Sequence, residues 1–127
     1  MRVVNLTIHT KNRYNLCVYF QKRGNKFGAK RTTYNGHLYH SIKEANYAAE
    51  LDLRVKAGEL KSWRRQVPIE LRVNDQKVCT YTIDFVEVDK KGNEMWTEVK
   101  GFATPEWRIK WNLFDALFPE LDKQVVT

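Results

Sequence analysis

Three strand-like segments in a row, set between two capped helices, constrain the fold of this chain more than any other feature. The segments cover 67–73, 77–88 and 95–102, and short polar turns separate them. Because strands joined by short turns usually pair with their chain neighbours, we expect a three-stranded antiparallel meander. The 127 residues have room for one compact domain, so we treat 1–127 as a single domain in which the meander and the helices share a core.

The first helix is predicted to begin at Ser41 and to end near Ala57. Ser41 is a preferred N-cap residue, Glu44 stands at the capping-box spacing after it, and Gly58 is a typical C-terminal stop. The residues that share a helical face with Glu44 are small or apolar, namely Ala48, Leu51 and Val55. A carboxylate on that face is either the capping glutamate or a functional group, and the sequence leaves both interpretations open.

The second helix is predicted from Thr104-Pro105, an N-cap followed by proline at the first helical position. Its aromatic stripe has spacings of four, three and four and is expected to pack on the sheet as core: Trp107, Trp111, Phe114 and Phe118. Pro119 ends the helix. We therefore expect residues 119–127 to form a loose tail.

The N-terminal third carries the cationic excess of a chain whose net charge is +7. Residues 1–43 contain nine Lys/Arg and no acid, whereas the remaining residues carry 13 basic and 15 acidic side chains. Strands are expected at 3–8 and 14–20. A basic loop that carries aromatic residues follows them, and the strands and the start of this loop make up a basic N-terminal region, 1–33. Such a region suits a polyanion, with nucleic acid favoured over a membrane surface because no amphipathic helical period is present. The alternative is a solvated basic surface. The candidate DNA-binding residues here are Lys22, Arg23, Lys26, Lys30 and Arg31.

No apolar run approaches the ~20 residues that a membrane helix needs, and the first residues lack an apolar signal-peptide core. We therefore expect a soluble, intracellular protein without a membrane partner. Cys17 and Cys79 both lie in apolar, strand-like runs. Two isolated cysteines make neither a zinc set nor a disulfide framework, so we interpret both as reduced core residues.

Asp84 interrupts the apolar run T-I-D-F-V, where an ionised carboxylate is costly unless it is paired or binds a metal. In the next segment, E-V-K, strand alternation puts Glu98 and Lys100 on one face and leaves the carbonyl of Val99 in the sheet plane. If these strands pair, Asp84 approaches Glu98, and the first helix could bring Glu44 to the same end of the sheet. Oxygen donors of this kind predict a Mg²⁺ site. The alternative is a surface Glu98/Lys100 pair beside a bulge.

Two smaller groups of polar residues have a structural and a functional interpretation. His37 and His40 flank the start of the first helix and are either ordinary surface histidines or phosphate contacts. The residues that precede the first meander strand could bind backbone phosphate or could merely be a polar start of that strand: Arg64, Arg65 and Gln66.

The order of a helix acid, T-I-D-F, E-V-K-G and a second helix resembles the PD-(D/E)XK nuclease superfamily over about 34–118. The motifs N-K-F-G-A-K, Q-V-P-I-E-L, Y-T-x-D-F and E-V-K-G are similar to those of a small, largely uncharacterised phage-encoded family. Among nucleases of known activity, the pattern is similar to the bacteriophage endonuclease I-type junction resolvases. One departure is visible, because Ile83 stands where the motif usually has proline.

The resemblance implies a restriction-endonuclease-like αβββαβ core of the α/β class, with a mixed sheet flanked by helices. It also implies that Asp84, Glu98 and the Val99 carbonyl hold Mg²⁺, for which Mn²⁺ may substitute, and that Lys100 is the catalytic lysine. Glu44 would serve the same centre through water or through a second metal ion.

The function expected from this resemblance is metal-dependent cleavage of DNA, selective for branched DNA, by a homodimer in the cytoplasm of a phage-infected or prophage-bearing bacterial host. A site-specific, nicking or single-strand nuclease of the same fold is the first alternative. A DNA-binding module without catalysis is the second, and a structural phage protein that holds DNA with its basic region is the third.

Overall fold

The computed structural model of the chain describes residues 30–127. In chain order its elements are β1 (Thr32–Tyr34), β2 (His37–Tyr39), α1 (Ile42–Lys56), β3 (Leu60–Val73), β4 (Gln76–Asp89), β5 (Glu94–Val99), α2 (Pro105–Leu117) and β6 (Asp122–Val126). The run from α1 to β6 confirms the expected αβββαβ order. The strands predicted at 3–8 and 14–20, and Cys17, lie outside the described residues.

The β1–β2 hairpin corrects the sequence-based expectation of a loop in this region. Its two strands pair in antiparallel fashion from Thr32↔Tyr39 to Tyr34↔His37. Asn35 and Gly36 connect them with φ values of 47° and 78°. An Asn-Gly pair with two positive φ angles is the preferred two-residue hairpin turn, so the dipeptide was a usable sequence signal.

The strands β3, β4 and β5 form the predicted antiparallel meander. The tight turn between β3 and β4 places Asn74 and Asp75 at φ values of 49° and 62°. The strand β3 begins at Leu60, seven residues before the predicted start, because the polar segment that precedes Val67 also pairs with β4. The strand β5 ends at Val99 rather than at 102.

The strand β6 contradicts the prediction of a loose tail. It pairs in parallel with β5, from Met95↔Asp122 to Val99↔Val126, and completes the sheet order β3-β4-β5-β6. The helix α2 makes the crossover that a parallel pair requires. The segment was hard to recognise because the strand begins with three polar residues, Asp122, Lys123 and Gln124.

Both helices have the predicted caps. The Glu44 N–H donates to Ser41 Oγ at 3.1 Å at the start of α1, and the Trp107 N–H donates to Thr104 Oγ1 at 3.1 Å at the start of α2. Ala57 is the C-cap of α1, and Gly58 follows it at a φ of 82°. Within residues 30–127, neither helix is long and apolar enough to cross a membrane.

Two hydrophobic clusters pack against the sheet. The α1 cluster joins Leu51 of α1 to Phe85 and Val99, and the α2 cluster joins Phe114 of α2 to Ile83. Phe114 is fully buried, and the other members of its predicted stripe are partly buried against the same cluster: Trp107, Trp111 and Phe118. Cys79 is buried, as predicted, and is not in a disulfide among the described residues. Ile83 belongs to the α2 cluster and Phe85 to the α1 cluster, so Asp84 stands in the chain between one residue of each cluster.

Candidate active site

Asp84 lies at the point where β4 and β5 stop pairing through their backbones. The ladder between these strands ends at Phe85↔Thr97. Beyond it, the Val99 N–H donates to Asp84 Oδ2 at 2.9 Å, so a side chain takes the place of the neighbouring strand's carbonyl. The Asp84 residue is 9% exposed. This hydrogen bond fixes the carboxylate beside the end of β5.

Gln66 of β3 contacts the same carboxylate from the other side. Its Nε2 donates to Asp84 Oδ1 at 3.4 Å. Gln66 lies between the pairs Arg65↔Phe85 and Val67↔Ile83 and has a φ of 49°. A left-handed residue other than glycine or asparagine is uncommon in a strand and is often found at functional sites. The sequence grouped Gln66 with phosphate-binding residues and carried no signal for this contact.

Glu98 of β5 is 3% exposed. Its two carboxylate oxygens differ in their hydrogen-bond partners. Oε1 accepts a hydrogen bond from Trp107 Nε1 at 3.0 Å and lies 3.3 Å from Lys100 Nζ. Oε2 is buried and has no hydrogen-bond partner within residues 30–127. An unpartnered buried carboxylate oxygen is costly. Binding of a cation to this oxygen would offset that cost.

Lys100 lies on the same side as Glu98, as strand alternation predicted. Its ammonium group is 5.3 Å from the centre of the Trp107 ring, in a cation–π arrangement. The side chain is 27% exposed, whereas that of Glu98 is 5% exposed. Lys100 therefore contacts the buried carboxylate and is also partly accessible to solvent.

Burial dominates the ionisation of both carboxyl groups. Burial first, and the charge of Glu44 second, raise the pKa of Asp84 to about 7. Burial first, and the charge of Asp84 second, raise the pKa of Glu98 to about 7. Two close carboxylates in a low dielectric cannot both be charged without a counter-charge. Lys100 lowers both pKa values but supplies only one positive charge.

Glu44 forms one half of the predicted capping box, because its N–H donates to Ser41 Oγ while its carboxylate accepts from the His40 N–H and the Ser41 hydroxyl. It also lies near the other acids. Ser41 Oγ donates to Glu44 Oε1 at 3.2 Å, and the His40 N–H donates to Oε2 at 3.4 Å. Burial raises the pKa of Glu44, which the charge of Glu98 raises further. In the described part of the chain, no three His, Cys, Asp or Glu side chains are placed so that they could hold one metal ion. Glu44 is thus a neighbour of the site rather than a third direct ligand.

Trp107 and Tyr81 are the residues that sequence reasoning missed at this site. Trp107 Nε1 donates to Tyr81 Oη at 2.9 Å as well as to Glu98. Burial, then the charge of Glu98, raises the pKa of Tyr81, so its hydroxyl stays protonated. The aromatic spacing predicted a core position for Trp107 correctly, but spacing carries no information on its indole N–H.

The donor set fits a hard divalent cation. Asp84 and Glu98 supply carboxylate oxygens, one of which has no partner, and the Val99 carbonyl was expected to add a third oxygen. Mg²⁺ retains several waters and is often held by only one or two carboxylates. A bound cation would also compensate the two buried charges, whose burial is the largest cause of the raised pKa values.

The two histidines and the candidate DNA-binding residues differ in their exposure and in their contacts. His37 and His40 are exposed, and His40 Nδ1 lies 3.9 Å from Glu44 Oε2. Arg64 is exposed and pairs with Glu94 at 2.7 Å. Arg65 Nη2 donates to the Leu38 carbonyl at 2.8 Å. Two further candidates are exposed, Lys30 and Arg31, and three lie outside the described residues, Lys22, Arg23 and Lys26.

Comparison with protein-family models matches residues 24–127 to the family described as "Protein of unknown function (DUF1064)". The chain belongs to this family. The match begins before β1 and includes every element of the described fold, so all four charged residues of the candidate site lie inside it. No curated protein matches the chain. Membership of the DUF1064 family therefore assigns no activity to the chain.

Proposed function

We propose that this DUF1064 protein is a Mg²⁺-dependent endonuclease that hydrolyses phosphodiester bonds in DNA. The observation that carries the proposal is a pair of buried carboxylates, Asp84 and Glu98, with Lys100 Nζ 3.3 Å from Glu98 Oε1. The other Glu98 oxygen has no hydrogen-bond partner within residues 30–127. The resemblance of the T-I-D-F and E-V-K-G motifs to PD-(D/E)XK nucleases supports the same conclusion.

The chain's own groups have separate tasks in this proposal. Asp84 and Glu98 would hold the cation, with Glu44 acting through a bound water. The ion, when bound, would polarise the phosphate and lower the pKa of a bound water. Lys100 reaches solvent beside Glu98 and would orient the attacking water or stabilise charge that develops on the phosphate oxygens.

The overall reaction adds water across one P–O bond. The water oxygen bonds to phosphorus, the bond from phosphorus to one sugar oxygen breaks, and that oxygen leaves as a hydroxyl. The second proton of the water is released to solvent. An exposed cationic surface that includes Lys30 and Arg31 would hold the DNA backbone.

Branched DNA is the substrate that the motif resemblance favours, and concerted cutting of two strands would require a homodimer. The phage origin and the cytoplasm of a bacterial host belong to the same proposal. A nuclease of this fold with a different DNA substrate is the alternative, since one fold serves many substrates.

The test is cleavage of a labelled four-way junction with Mg²⁺ or Mn²⁺, beside linear duplex and single-stranded controls. The matched variants are Asp84→Asn and Asp75→Asn, because Asp75 is exposed in the β3–β4 turn at a φ that asparagine tolerates. We expect symmetric nicks near the branch that Asp84→Asn abolishes and Asp75→Asn retains.

Equal cutting of all three substrates would keep the nuclease and reject the branch selectivity. DNA binding without any metal-dependent product would reject the nuclease in favour of a DNA-binding module.

A further inference from the structure

A cavity of about 280 Å³ lies between the β1–β2 hairpin and the start of β3. It is lined by Tyr34, Tyr39, Trp63, Arg64 and Arg65, together with Asn35 and His37 of the hairpin. Tyr39 is buried, with Phe85 and the Arg65 guanidinium against its ring, so Tyr34 and Trp63 are the rings that remain for a ligand. None of the cavity-lining residues is acidic. The cavity thus combines ring surface with positive charge, and no step of the proposed cleavage uses it.

One carboxylate of α1 fixes two of these rings. Tyr34 Oη donates to Asp52 Oδ2 at 2.7 Å, and Trp63 Nε1 donates to Asp52 Oδ1 at 2.9 Å. The polar edges of both rings are therefore occupied by Asp52, and the groups that remain for the cavity are ring atoms. A ring pair held in place before binding loses little conformational entropy when a flat ligand stacks on it.

The exposed arginine is the group that is placed for an anion. The Arg65 guanidinium is held within the protein, because it lies over the Tyr39 ring at 4.7 Å and its Nη2 donates to the Leu38 carbonyl. Arg64 is exposed beside the cavity and forms an ion pair with Glu94, which is itself partly exposed. Aromatic faces beside arginines are the groups that bind single-stranded nucleic acid, because a base stacks on the ring and a phosphate pairs with the cation.

Two chain segments connect the cavity to the carboxylates. Arg65 is followed by Gln66, which contacts Asp84. Tyr39 is followed by His40, whose N–H donates to Glu44. In each of these two segments, a residue that lines the cavity is thus the sequence neighbour of a residue that contacts one of the acids.

We propose that this cavity binds one unpaired nucleobase of the DNA substrate, with Arg64 on the adjoining phosphate. The choice of DNA rests on the proposed function. A base inside a duplex has both faces covered by its neighbours, so only an unpaired or extruded base can stack here. The cavity would thus select DNA with an unpaired nucleotide next to the cleaved bond. The chain's own residues 1–29 are a poor occupant, because every charged side chain among them is basic.

The test measures binding in EDTA, so that no metal-dependent cleavage occurs. Two duplexes carry a fluorescent purine analogue, either in a single-nucleotide bulge or at a paired position of the same sequence. We expect tighter binding of the bulged duplex and quenching of the analogue only there. Tyr34→Leu should weaken bulge binding roughly fivefold or more, because it removes a stacking face, and should leave binding of the paired duplex unchanged.

Tyr34→Phe separates stacking from a structural role. It keeps the ring but loses the hydrogen bond to Asp52, so bulge binding should remain near the wild-type level if stacking is what matters. If Tyr34→Leu fails to fold, Arg64→Ala replaces it, since Arg64 is exposed, and it should reduce the preference for the bulged duplex. Equal affinity of the wild-type protein for the two duplexes, or an unchanged bulge preference in the folded variant, would overturn the inference.

The binding result and the cleavage result are independent. Bulge selectivity without metal-dependent cutting would reject the nuclease and keep the nucleobase cavity. Cutting without bulge selectivity would keep the nuclease and reject the cavity.

Discussion

Two buried glutamates in the same sheet have opposite surroundings. Glu87 of β4 is 4% exposed and accepts hydrogen bonds from Tyr47 Oη, from Arg54 Nη1 at 3.1 Å and from Thr97 Oγ1 at 3.1 Å. Glu98 of β5 is 3% exposed, but one of its oxygens has no partner in the described part of the chain.

The difference separates a carboxylate that stabilises the fold from one that is kept for another purpose. Glu87 has a guanidinium counter-charge and several donors, so its charge is compensated within the protein. Glu98 shares one lysine with a second buried acid, Asp84, so the two are under-compensated. Residues with this deficit in a low dielectric are candidates for function.

The largest expected difference is between two single variants, in which Glu98 or Glu87 is replaced with glutamine. Glu98→Gln should reduce metal-dependent DNA cleavage by at least about 10³-fold, because it removes a charged ligand. Glu87→Gln should retain cleavage and lower the free energy of unfolding by about 1–3 kcal/mol, because it weakens charge-assisted hydrogen bonds to Arg54 and Tyr47. Cleavage rates and denaturant unfolding of both variants check this. A Glu98→Gln protein that still cleaves DNA would contradict the different roles given to Glu98 and Glu87.

Replacing the lysine that the two acids share should have the next largest effect. Lys100→Ala should reduce cleavage by about 10²- to 10³-fold while DNA affinity stays close to the wild-type value. Parallel cleavage and filter-binding assays would measure both quantities, with Lys61→Ala as the control because Lys61 is exposed on β3. A parallel loss of binding and cleavage would instead mean that Lys100 serves as a DNA contact.

Trp107→Phe should have a smaller effect on the same site. It keeps a ring under Lys100 and in the α2 cluster but removes the N–H that donates to Glu98 Oε1. We expect about a tenfold rise in the Mg²⁺ concentration needed for half-maximal cleavage, which is typical when a group that orients a metal ligand is lost. Trp111→Phe is the matched control. An unchanged Mg²⁺ dependence would show that Lys100 alone positions Glu98.

The smallest effect is on stability and has a defined pH dependence. Because the pKa of Asp84 is raised to about 7 in the folded protein, its ionisation destabilises the fold as the pH rises from about 4 to about 7. In EDTA, Asp84→Asn should therefore unfold at a temperature a few degrees higher than the wild type at pH 8. That advantage should shrink at pH 5, where the wild-type carboxyl is protonated. A lower melting temperature for Asp84→Asn at pH 8 would contradict the assignment of an uncompensated charge.

The sequence predicted those parts of the fold that depend on local signals. Capping residues defined both helices, and turn residues defined the meander, because each acts within a few positions of the chain. Asp84 and Glu98 were identified because carboxylates in apolar strands are costly wherever the strands lie. Their proximity followed from assuming that consecutive strands pair.

Contacts between distant segments could not be predicted in this way. Glu87 accepts hydrogen bonds from Tyr47 and Arg54 of α1, from Thr97 of β5 and, at 3.5 Å, from Gln124 of β6, and no local spacing joins these groups. Gln66 acquires its contact with Asp84 through a left-handed backbone conformation that glutamine does not favour. The strand β6 pairs with β5 even though its first residues are polar, because a free edge of β5 would otherwise remain.

The parallel pairing of β6 has a consequence for the time course of synthesis. The Val99–Val126 pair closes the last ladder of the sheet, and the two residues are 27 positions apart in the sequence. A ribosome that adds roughly 5–20 residues per second needs about one to five seconds to cover that interval. The strand β5, which carries Glu98, can therefore be paired on both sides only after α2 and β6 have been synthesised.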